Sequence, residues 1–371
     1  MGWLKTWRLN SPNPGVRRRT VEKLAGSDDS HDTELLVASL EDKDPQVRCA
    51  AVRALEGNSQ ESCALPLLSA LRDPDTGVRA AAARALGRRG EHEAETPLVW
   101  LLNDTCPEVR NAAVGALREL GWKPSNDEET ARFQVALGNP RAAALSGNAA
   151  VTSLVNELSH DTGFQRRAAA EALRDVNDPR RIGPLLSALR DEDATVRVSA
   201  IHSLEFEMDP TVTAGLLKML KDRTPQVRLA AATVLSHRPD SPPAHFFPLL
   251  QDPSFETRLV AVQFLGRFPQ PEIADFLLPL LSDADNDVRH ATAKALGQFR
   301  NPVAIQPLVV ALADEEQQVR AAAEHSLEQI DGNWPLTDAA KRATGALQAM
   351  LDVRPPWVRS AIQQVLSKIA S

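Results

Sequence analysis

The chain has 371 residues, of which 43% are hydrophobic and 25% are charged, and its formal net charge is −7. This acidic balance argues against a dedicated nucleic-acid binder, whose affinity comes from neutralising phosphates. No apolar run is long enough to span a membrane, and the first nine residues lack the apolar core of a signal peptide. The three cysteines, Cys49, Cys63 and Cys106, form no CxxC pair, so neither a disulfide framework nor a zinc site is expected. We therefore expect a cytoplasmic protein with no nucleic-acid or membrane partner.

An arginine recurs along the chain at a nearly fixed interval. The step from Arg17 to Arg48 is repeated twice more in the first part of the chain, and in the second part it recurs with a deviation of at most one position. Such a period is typical of an array of supersecondary units and not of a compact enzyme domain. The recurring residues are Arg17, Arg48, Arg79, Arg110, Arg166, Arg197, Arg228, Arg258, Arg289 and Arg320.

Each unit is predicted to contain two helices, A and then B. Helix A is apolar, as in ALPLLSAL at 64–71, and four copies carry a proline at the same distance before the arginine. A proline inside a helix removes a hydrogen bond, so we expect each one to bend its helix A. These prolines are Pro66, Pro97, Pro184 and Pro307.

Helix B starts just before the arginine. Its small apolar residues fall on one helical face, as in VRAAAARALG at 78–87. Four residues before the arginine, most units carry a side chain of the kind that accepts hydrogen bonds from first-turn amides. These predicted N-cap residues are Asn13, Asp44, Asp75, Thr162, Asp193, Thr224, Ser254 and Asp285.

Most units also carry an aspartate six residues before the arginine. Its carboxylate, in the turn between A and B, can pair with an arginine of the same unit or of a neighbouring unit. We predict a structural ladder of ion pairs, because partly buried charges need partners; a charged stripe that binds a ligand is the alternative. The ladder residues are Asp42, Arg48, Asp73, Arg79, Asp104, Arg110, Asp191, Arg197, Asp222, Arg228, Asp252, Arg258, Asp283, Arg289, Asp314 and Arg320.

The pattern LxDxxxxVRxxAAxAL, repeated over nearly the whole chain, resembles the short HEAT-like repeat of the phycobilisome-lyase type. The resemblance implies an all-α fold, an α-α superhelix or HEAT-like solenoid of about 11 helical hairpins, in a bacterial protein. It is specific for the fold but says little about function, because such repeats occur in scaffolds, regulators and a few enzymes.

The array is interrupted between Arg110 and Arg166, where the interval is nearly twice as long as elsewhere. We predict a helical spacer here, with a helix that starts at Ser125 or Asn126 and runs to Leu137. The predicted domains are an N-terminal array of four repeats at 1–121, the spacer insertion at 122–149, and a C-terminal array of about seven repeats at 150–371.

The pattern changes after the spacer and at the ends of the chain. His160 replaces the aspartate in the unit after the spacer, so the ladder is predicted to be broken there. At the start of the chain, Trp3 is expected to pack against the first repeat. The last repeat is degenerate, with Arg359 in the arginine position, and Trp334 and Trp357 are expected to close the end of the core.

The family resemblance implies that the B helices line a concave groove, with positions +1, +5 and +8 from the arginine facing it. These polar side chains would then bind a protein with acidic and mixed patches; the alternative is that they form the solvated face of amphipathic helices. The candidate binding residues are Arg53, Arg84, Asn111, Arg118, Arg167, Glu171, Arg174, His202, Glu205, His290, Lys294 and His325.

Enzymes with similar repeats offer an alternative function. Deoxyhypusine hydroxylases hold two irons with several His-Glu pairs on B helices, whereas here only His92-Glu93 forms such a pair, before a helix A. Bilin lyases need a chromophore pocket, and nothing in a chain with 4% aromatic residues and no tyrosine indicates one. We expect a monomeric, non-enzymatic scaffold or regulatory adaptor that binds one or more proteins, without catalytic residues, metal or cofactor. The alternative is a bilin lyase or a lyase-like chaperone subunit for a tetrapyrrole-carrying protein.

Overall fold

The described part of the protein is helical throughout. The computed structural model describes residues 2–27, 29–160 and 162–370, and these residues form 23 α-helices, short 3-10 turns and no β-strand. None of the described helices combines the length and the apolar composition needed to cross a bilayer. The predicted all-α fold is therefore confirmed. The helices are α1 (Gly2–Leu9), α2 (Pro14–Leu24), α3 (Ser30–Ala38), α4 (Pro45–Glu56), α5 (Ala64–Ala70), α6 (Thr76–Arg89), α7 (Glu95–Leu101), α8 (Pro107–Glu119), α9 (Asp127–Ala136), α10 (Pro140–Ala144), α11 (Val151–Glu157), α12 (Gly163–Leu173), α13 (Ile182–Ala188), α14 (Ala194–Ser203), α15 (Pro210–Met219), α16 (Pro225–His237), α17 (Phe255–Leu265), α18 (Pro271–Leu277), α19 (Asn286–Phe299), α20 (Ile305–Ala311), α21 (Gln317–Ile330), α22 (Asp338–Met350) and α23 (Pro356–Ala370).

The helices form stacked A–B hairpins. A B helix packs against the B helices of the neighbouring repeats, as α4 does between α2 and α6, and against its own A helix, as α8 does with α7. This is the packing of a HEAT-like solenoid, in which each repeat buries its apolar face against its neighbours. The B position is occupied by α2, α4, α6, α8, α12, α14, α16, α17, α19, α21 and α23.

The helices group into two compact units, Met1–Ala188 and Leu189–Ser371. The first unit contains the spacer helices α9 and α10. The boundaries predicted from the repeat pattern, 1–121, 122–149 and 150–371, divide the chain by sequence periodicity, and that division stays a prediction.

The B helices start where the capping residues predict. The Asp44 carboxylate accepts a hydrogen bond from the Gln46 amide at 2.8 Å, and the other predicted Asn, Asp and Ser caps act in the same way. Thr162 and Thr224 lie at the cap position but make no side-chain capping bond. The Thr224 hydroxyl instead accepts a hydrogen bond from the Arg197 guanidinium at 3.1 Å.

The prolines of the A helices lie at a different place from the one predicted. Pro66 is the third residue of α5, which directly follows a 3-10 turn at Glu61–Cys63, and Pro307 has the same place in α20 after Pro302–Ala304. A proline in the first turn of an α-helix removes a donor that the helix does not need. Each of these helices therefore changes from 3-10 to α geometry shortly before its proline, and the expected bend stays a prediction.

One A helix is missing altogether. Between α16 and α17 the chain forms two 3-10 turns, Pro243–His245 and Phe247–Gln251. Pro242, Pro243 and Pro248 each lack an amide donor, which prevents a continuous α-helix over this segment.

The spacer has the predicted helix. Helix α9 begins after Asn126, whose side chain accepts a hydrogen bond from the Glu129 amide at 2.8 Å. The Glu129 carboxylate accepts a hydrogen bond from the Ser125 amide at 2.7 Å, in the manner of a capping box. The helix ends one residue before Leu137, and Gly138 follows in the left-handed region at φ 76°. The predicted boundaries are confirmed to within one residue.

Only one of the two tryptophans expected to close the core does so. Trp334 is buried, with 4% of its surface exposed, whereas Trp357 is 61% exposed. Helix α23 buries the stripe formed by Val358, Ile362, Val365 and Ile369. Trp357 lies outside this stripe, so the prediction for this residue was wrong.

Two glycines set the spacing of neighbouring B helices. A Cβ atom on Gly87 would lie 2.6 Å from the Cα of Ala116, and one on Gly297 would lie 2.8 Å from the Cα of Ser326. Both glycines come eight residues after the arginine of their repeat. Their missing side chains allow the backbones of α6 and α8, and of α19 and α21, to approach closely.

Candidate functional site: the B-helix surface

The repeated arginines hold successive repeats together through one recurring geometry. Arg48 donates from Nε to Asp73 Oδ2 at 2.8 Å and from Nη2 to Asp73 Oδ1 at 2.7 Å. Its Nη1 donates to the backbone carbonyl of Asp42 at 2.8 Å. One guanidinium therefore binds the A–B turn of its own repeat and, as a two-pronged pair, the carboxylate of the next repeat.

Within the described residues, at least seven pairs have this geometry. Their donor–acceptor distances lie between 2.6 and 3.0 Å. Of the two arrangements that the sequence left open, the structure has the one between neighbouring repeats. The pairs are Arg17–Asp42, Arg48–Asp73 and Arg79–Asp104 in the first unit, and Arg197–Asp222, Arg228–Asp252, Arg258–Asp283 and Arg289–Asp314 in the second.

The aspartates of these pairs have little capacity left for a ligand. Asp73 Oδ1 also accepts a hydrogen bond from the Asp75 amide at 2.8 Å, and only 9% of the Asp73 side chain is exposed. Burial alone would raise the pKa of Asp73, but the hydrogen bonds from Arg48 and the Asp75 amide hold that pKa below its ordinary value. This geometry favours a structural ladder over a ligand-binding stripe.

At the spacer junction the ladder continues with a different acid. Arg110 Nη1 donates to the Asp104 carbonyl at 2.7 Å, and Arg110 Nη2 approaches Glu157 Oε1 at 3.5 Å. The His160 ring lies beside the same carboxylate, with Nε2 3.8 Å from Oε1. The sequence predicted that the ladder is broken at this junction. The structure instead retains one longer contact, between Arg110 and Glu157.

Arg320 and Asp191 show the turn contacts of the ladder. Arg320 Nη1 donates to the Asp314 carbonyl at 2.8 Å, and Asp191 Oδ1 accepts from the Asp193 amide at 2.8 Å. Both residues therefore fix an A–B turn in the same way as their counterparts.

The twelve candidate binding residues all lie on B helices or within two residues of their ends, with unequal exposure. Arg167, Glu171, His202, Glu205 and His290 are half-buried. The exposed residues are Arg53, Arg84, Asn111, Arg118, Arg174, Lys294 and His325. The exposed group is therefore better placed to contact a partner.

Two of the exposed residues share a depression of about 350 Å³ between α6 and α8. Arg84, Asn111 and Glu108 line it, together with Gly115, which has open space where a Cβ would be. The rim also includes Arg88 and Glu119, which the sequence analysis missed. Both come nine residues after a repeat arginine, one helical turn beyond position +5. Extending the pattern by one turn would have found them.

Two charged side chains of α12, Arg167 and Glu171, form an ion pair with each other. Arg167 Nε lies 3.5 Å from Glu171 Oε1, and the guanidinium lies 5.4 Å from the ring centroid of Phe164. Phe164 is 70% exposed, so this part of the B surface combines an aromatic ring with a half-buried ion pair.

The histidines of the second unit do not form a metal site. His325 Nε2 lies 2.9 Å from Gln329 Nε2, and the buried Nδ1 of His290 has no hydrogen-bond partner. Over the described residues, no group of three or more His, Cys, Asp or Glu side chains is arranged to hold a metal ion. His92, of the His-Glu pair, is exposed, and its Nδ1 contacts Glu95 Oε1 at 2.7 Å.

Comparison with known proteins gives the same repeat pattern. The family model for HEAT repeats matches residues 4–71, 64–133, 151–236 and 243–328. No curated protein matches the chain. Among solved structures, the chain is similar to importin beta in an ammonium sulfate condition, with 18% identity, a TM-score of 0.43, and coverage of 99% of this chain and 55% of that one. It is also similar to an engineered protein, with 21% identity, a TM-score of 0.26 and coverage of 100% and 99%. Human deoxyhypusine hydroxylase in complex with glycerol has 20% identity, a TM-score of 0.30 and coverage of 89% and 96%. The chain thus spans about half the length of the importin beta chain.

Proposed function

Because the chain belongs to the HEAT-repeat family, we propose that it is a non-enzymatic scaffold or regulatory adaptor that binds one or more proteins on its B-helix surface. We place it as a monomer in the bacterial cytoplasm. Within the family we assign it to the short, phycobilisome-lyase type, since its arginines recur at the short interval that separates Arg17 from Arg48.

The proposal rests on one observation, the separation of two sets of charges within each repeat. The ladder arginines are mostly buried and bound on both sides, as Arg48 is by Asp73 and the Asp42 carbonyl. In contrast, Arg53 and Arg84 extend from the same set of helices into solvent. A rigid set of helices with an exposed polar face is the arrangement that solenoids commonly use to bind proteins.

The depression between α6 and α8 supports a specific mode of contact. Its rim carries the Arg84 guanidinium and the Asn111 amide, and Gly115 leaves the space between the helices open. An amide side chain of a partner would fit here, because the Arg84 guanidinium donates hydrogen bonds and the Glu108 and Glu119 carboxylates, which also line the depression, accept them. Arg88 is less available, since it pairs with Glu56 of α4.

The experiment is affinity capture from a lysate of the source organism with the full chain and two matched variants. Arg84→Glu combined with Arg118→Glu reverses two exposed charges of the B surface. Arg141→Glu reverses an exposed charge on the spacer helix α10. All of these residues are exposed, so the melting temperature should change little in either variant.

We expect a stoichiometric protein that the wild type and Arg141→Glu retain and the double variant loses. Retention by all three proteins would contradict the assignment of the B surface. Recovery of a tetrapyrrole in place of a protein, or a change in bilin absorbance on mixing, would favour the lyase instead.

A further inference from the structure

The first helix displays an unusual pair of aromatic side chains. Trp3 is 72% exposed and Trp7 is 68% exposed, and Leu4 beside them is 38% exposed. Residues four apart lie on the same side of a helix, so the two indole rings form one apolar stripe along α1. Adjacent exposed tryptophans on a soluble surface mark an interaction site.

The orientation of this stripe is fixed by the opposite side of the helix. Lys5 Nζ donates to both carboxylate oxygens of Asp32, at 2.7 and 2.8 Å, and Asp32 is buried. The Ser27 hydroxyl donates to the same carboxylate at 2.7 Å. The hydrogen bond from Lys5 is the largest of the effects that lower the pKa of Asp32. Asp32 therefore stays ionised, and its ion pair with Lys5 holds α1 against α3. The tryptophans therefore face solvent because the helix is held in that rotation.

Two exposed cations lie next to the apolar stripe. Trp3, Leu4, Arg8 and Lys23 line a common depression of about 410 Å³, and both cations are exposed. Other cations nearby are already paired, Lys5 with Asp32, Arg17 with Asp42 and Arg18 with Glu22. Arg8 and Lys23 therefore supply the positive charge next to the exposed ring of Trp3.

We propose that α1 docks this protein on the surface of an anionic membrane, with Trp3 and Trp7 at the headgroup level and Arg8 and Lys23 near the lipid phosphates. Tryptophan prefers the membrane–water interface, because its ring is apolar and its N–H is polar. Basic residues next to an apolar helical face are typical of helices that lie in the plane of the interface. A second copy of the chain fits less well, because it would bring the same cations together. This inference changes the sequence-based expectation that a membrane is not a partner.

The test is co-sedimentation of the full chain with vesicles of phosphatidylcholine, prepared with and without phosphatidylglycerol. The wild type should bind the anionic vesicles and not the neutral ones, and added salt should weaken binding because it screens the cations. Trp3→Ala with Trp7→Ala should weaken binding at least about tenfold, since two large apolar groups no longer enter the interface. Arg8→Glu with Lys23→Glu should weaken it about fivefold or more for each cation.

The matched control is Trp100→Ala, which removes an exposed tryptophan from α7 in the same unit and should leave vesicle binding unchanged. Wild-type protein that fails to bind anionic vesicles would overturn the proposal, and so would equal binding by the Trp3/Trp7 and Trp100 variants. A dimer in sedimentation velocity that the Trp3/Trp7 variant loses would also overturn it, and would assign the surface to a second copy.

Discussion

Replacing Arg228 by alanine measures how strongly one ladder pair links its repeats. Arg228 donates two hydrogen bonds to the Asp252 carboxylate, at 2.6 and 2.9 Å, and one to the Asp222 carbonyl at 2.9 Å. The side chains are 13% and 5% exposed, so the substitution leaves a buried carboxylate without its cation. Loss of one partner of a buried pair costs about 3–5 kcal/mol. We expect the lower end, about 3 kcal/mol, because Asp252 retains the Ser254 amide at 2.9 Å.

The assay is urea unfolding followed by circular dichroism, with Arg228→Ala, Asp252→Ala and the double variant compared in a thermodynamic cycle. The two single losses should be far from additive, since each removes the same interaction. Arg228→Met combined with Asp252→Leu should recover much of the lost stability, because an apolar pair of similar volume avoids the desolvation cost. A loss below about 1 kcal/mol for Arg228→Ala, or additive losses, would refute the structural role of the ladder.

Three further results are expected. Gly297→Ala should lower the free energy of unfolding, because the new Cβ would lie 2.8 Å from the Cα of Ser326. Gly345→Ala has open space around it and should raise that free energy by about 0.5–1 kcal/mol. Urea unfolding of the two variants measures both changes. Acidification below the ordinary aspartate pKa of 3.8 should destabilise the protein, because the pKa of Asp73 is lower in the folded state. The stability that ionised Asp73 contributes is complete above pH 3.8 and is lost as the pH falls through the folded pKa. Asp73→Asn should flatten that part of a curve of stability against pH. Arg167→Glu should cost less than about 1 kcal/mol, since this residue is half-exposed, yet weaken partner capture; a loss equal to that of Arg228→Ala would show that Arg167 is structural.

The sequence predicted the ladder because both members recur in nearly every unit with fixed spacing. It did not determine which repeat supplies the partner, since that depends on how the A–B turns stack. It also missed Glu157 as the acid that contacts Arg110, because the spacer removes the regular register on which the pattern depends. Where the period was intact the sequence was sufficient, and where it was interrupted only the three-dimensional contacts identify the pair.

The candidate binding surface was less predictable than the fold. The family resemblance implied that Arg84 and Asn111 face a common groove, but the depression they share also depends on Gly115 and on how closely α6 approaches α8. That approach depends on the packing of Gly87 against Ala116, which a pattern of apolar positions does not measure. The sequence also did not reveal the exposed stripe on α1. Trp3 was expected to pack against the first repeat, and this prediction was wrong, since Trp3 is 72% exposed.

Within a repeat, the position of a charge determines whether it stabilises the fold or remains free to bind. Arg79 lies in the first turn of α6, where it reaches both the Asp73 carbonyl and the Asp104 carboxylate, and a change there alters two repeats at once. Arg84 comes five residues later, on the exposed face of the same helix, and its substitution leaves those contacts in place. Because the ladder carboxylates already accept several hydrogen bonds, a ligand would have to displace an arginine to bind them, whereas a partner on the B surface displaces only water. The B surface can therefore diverge between related repeats while the ladder keeps the helices aligned.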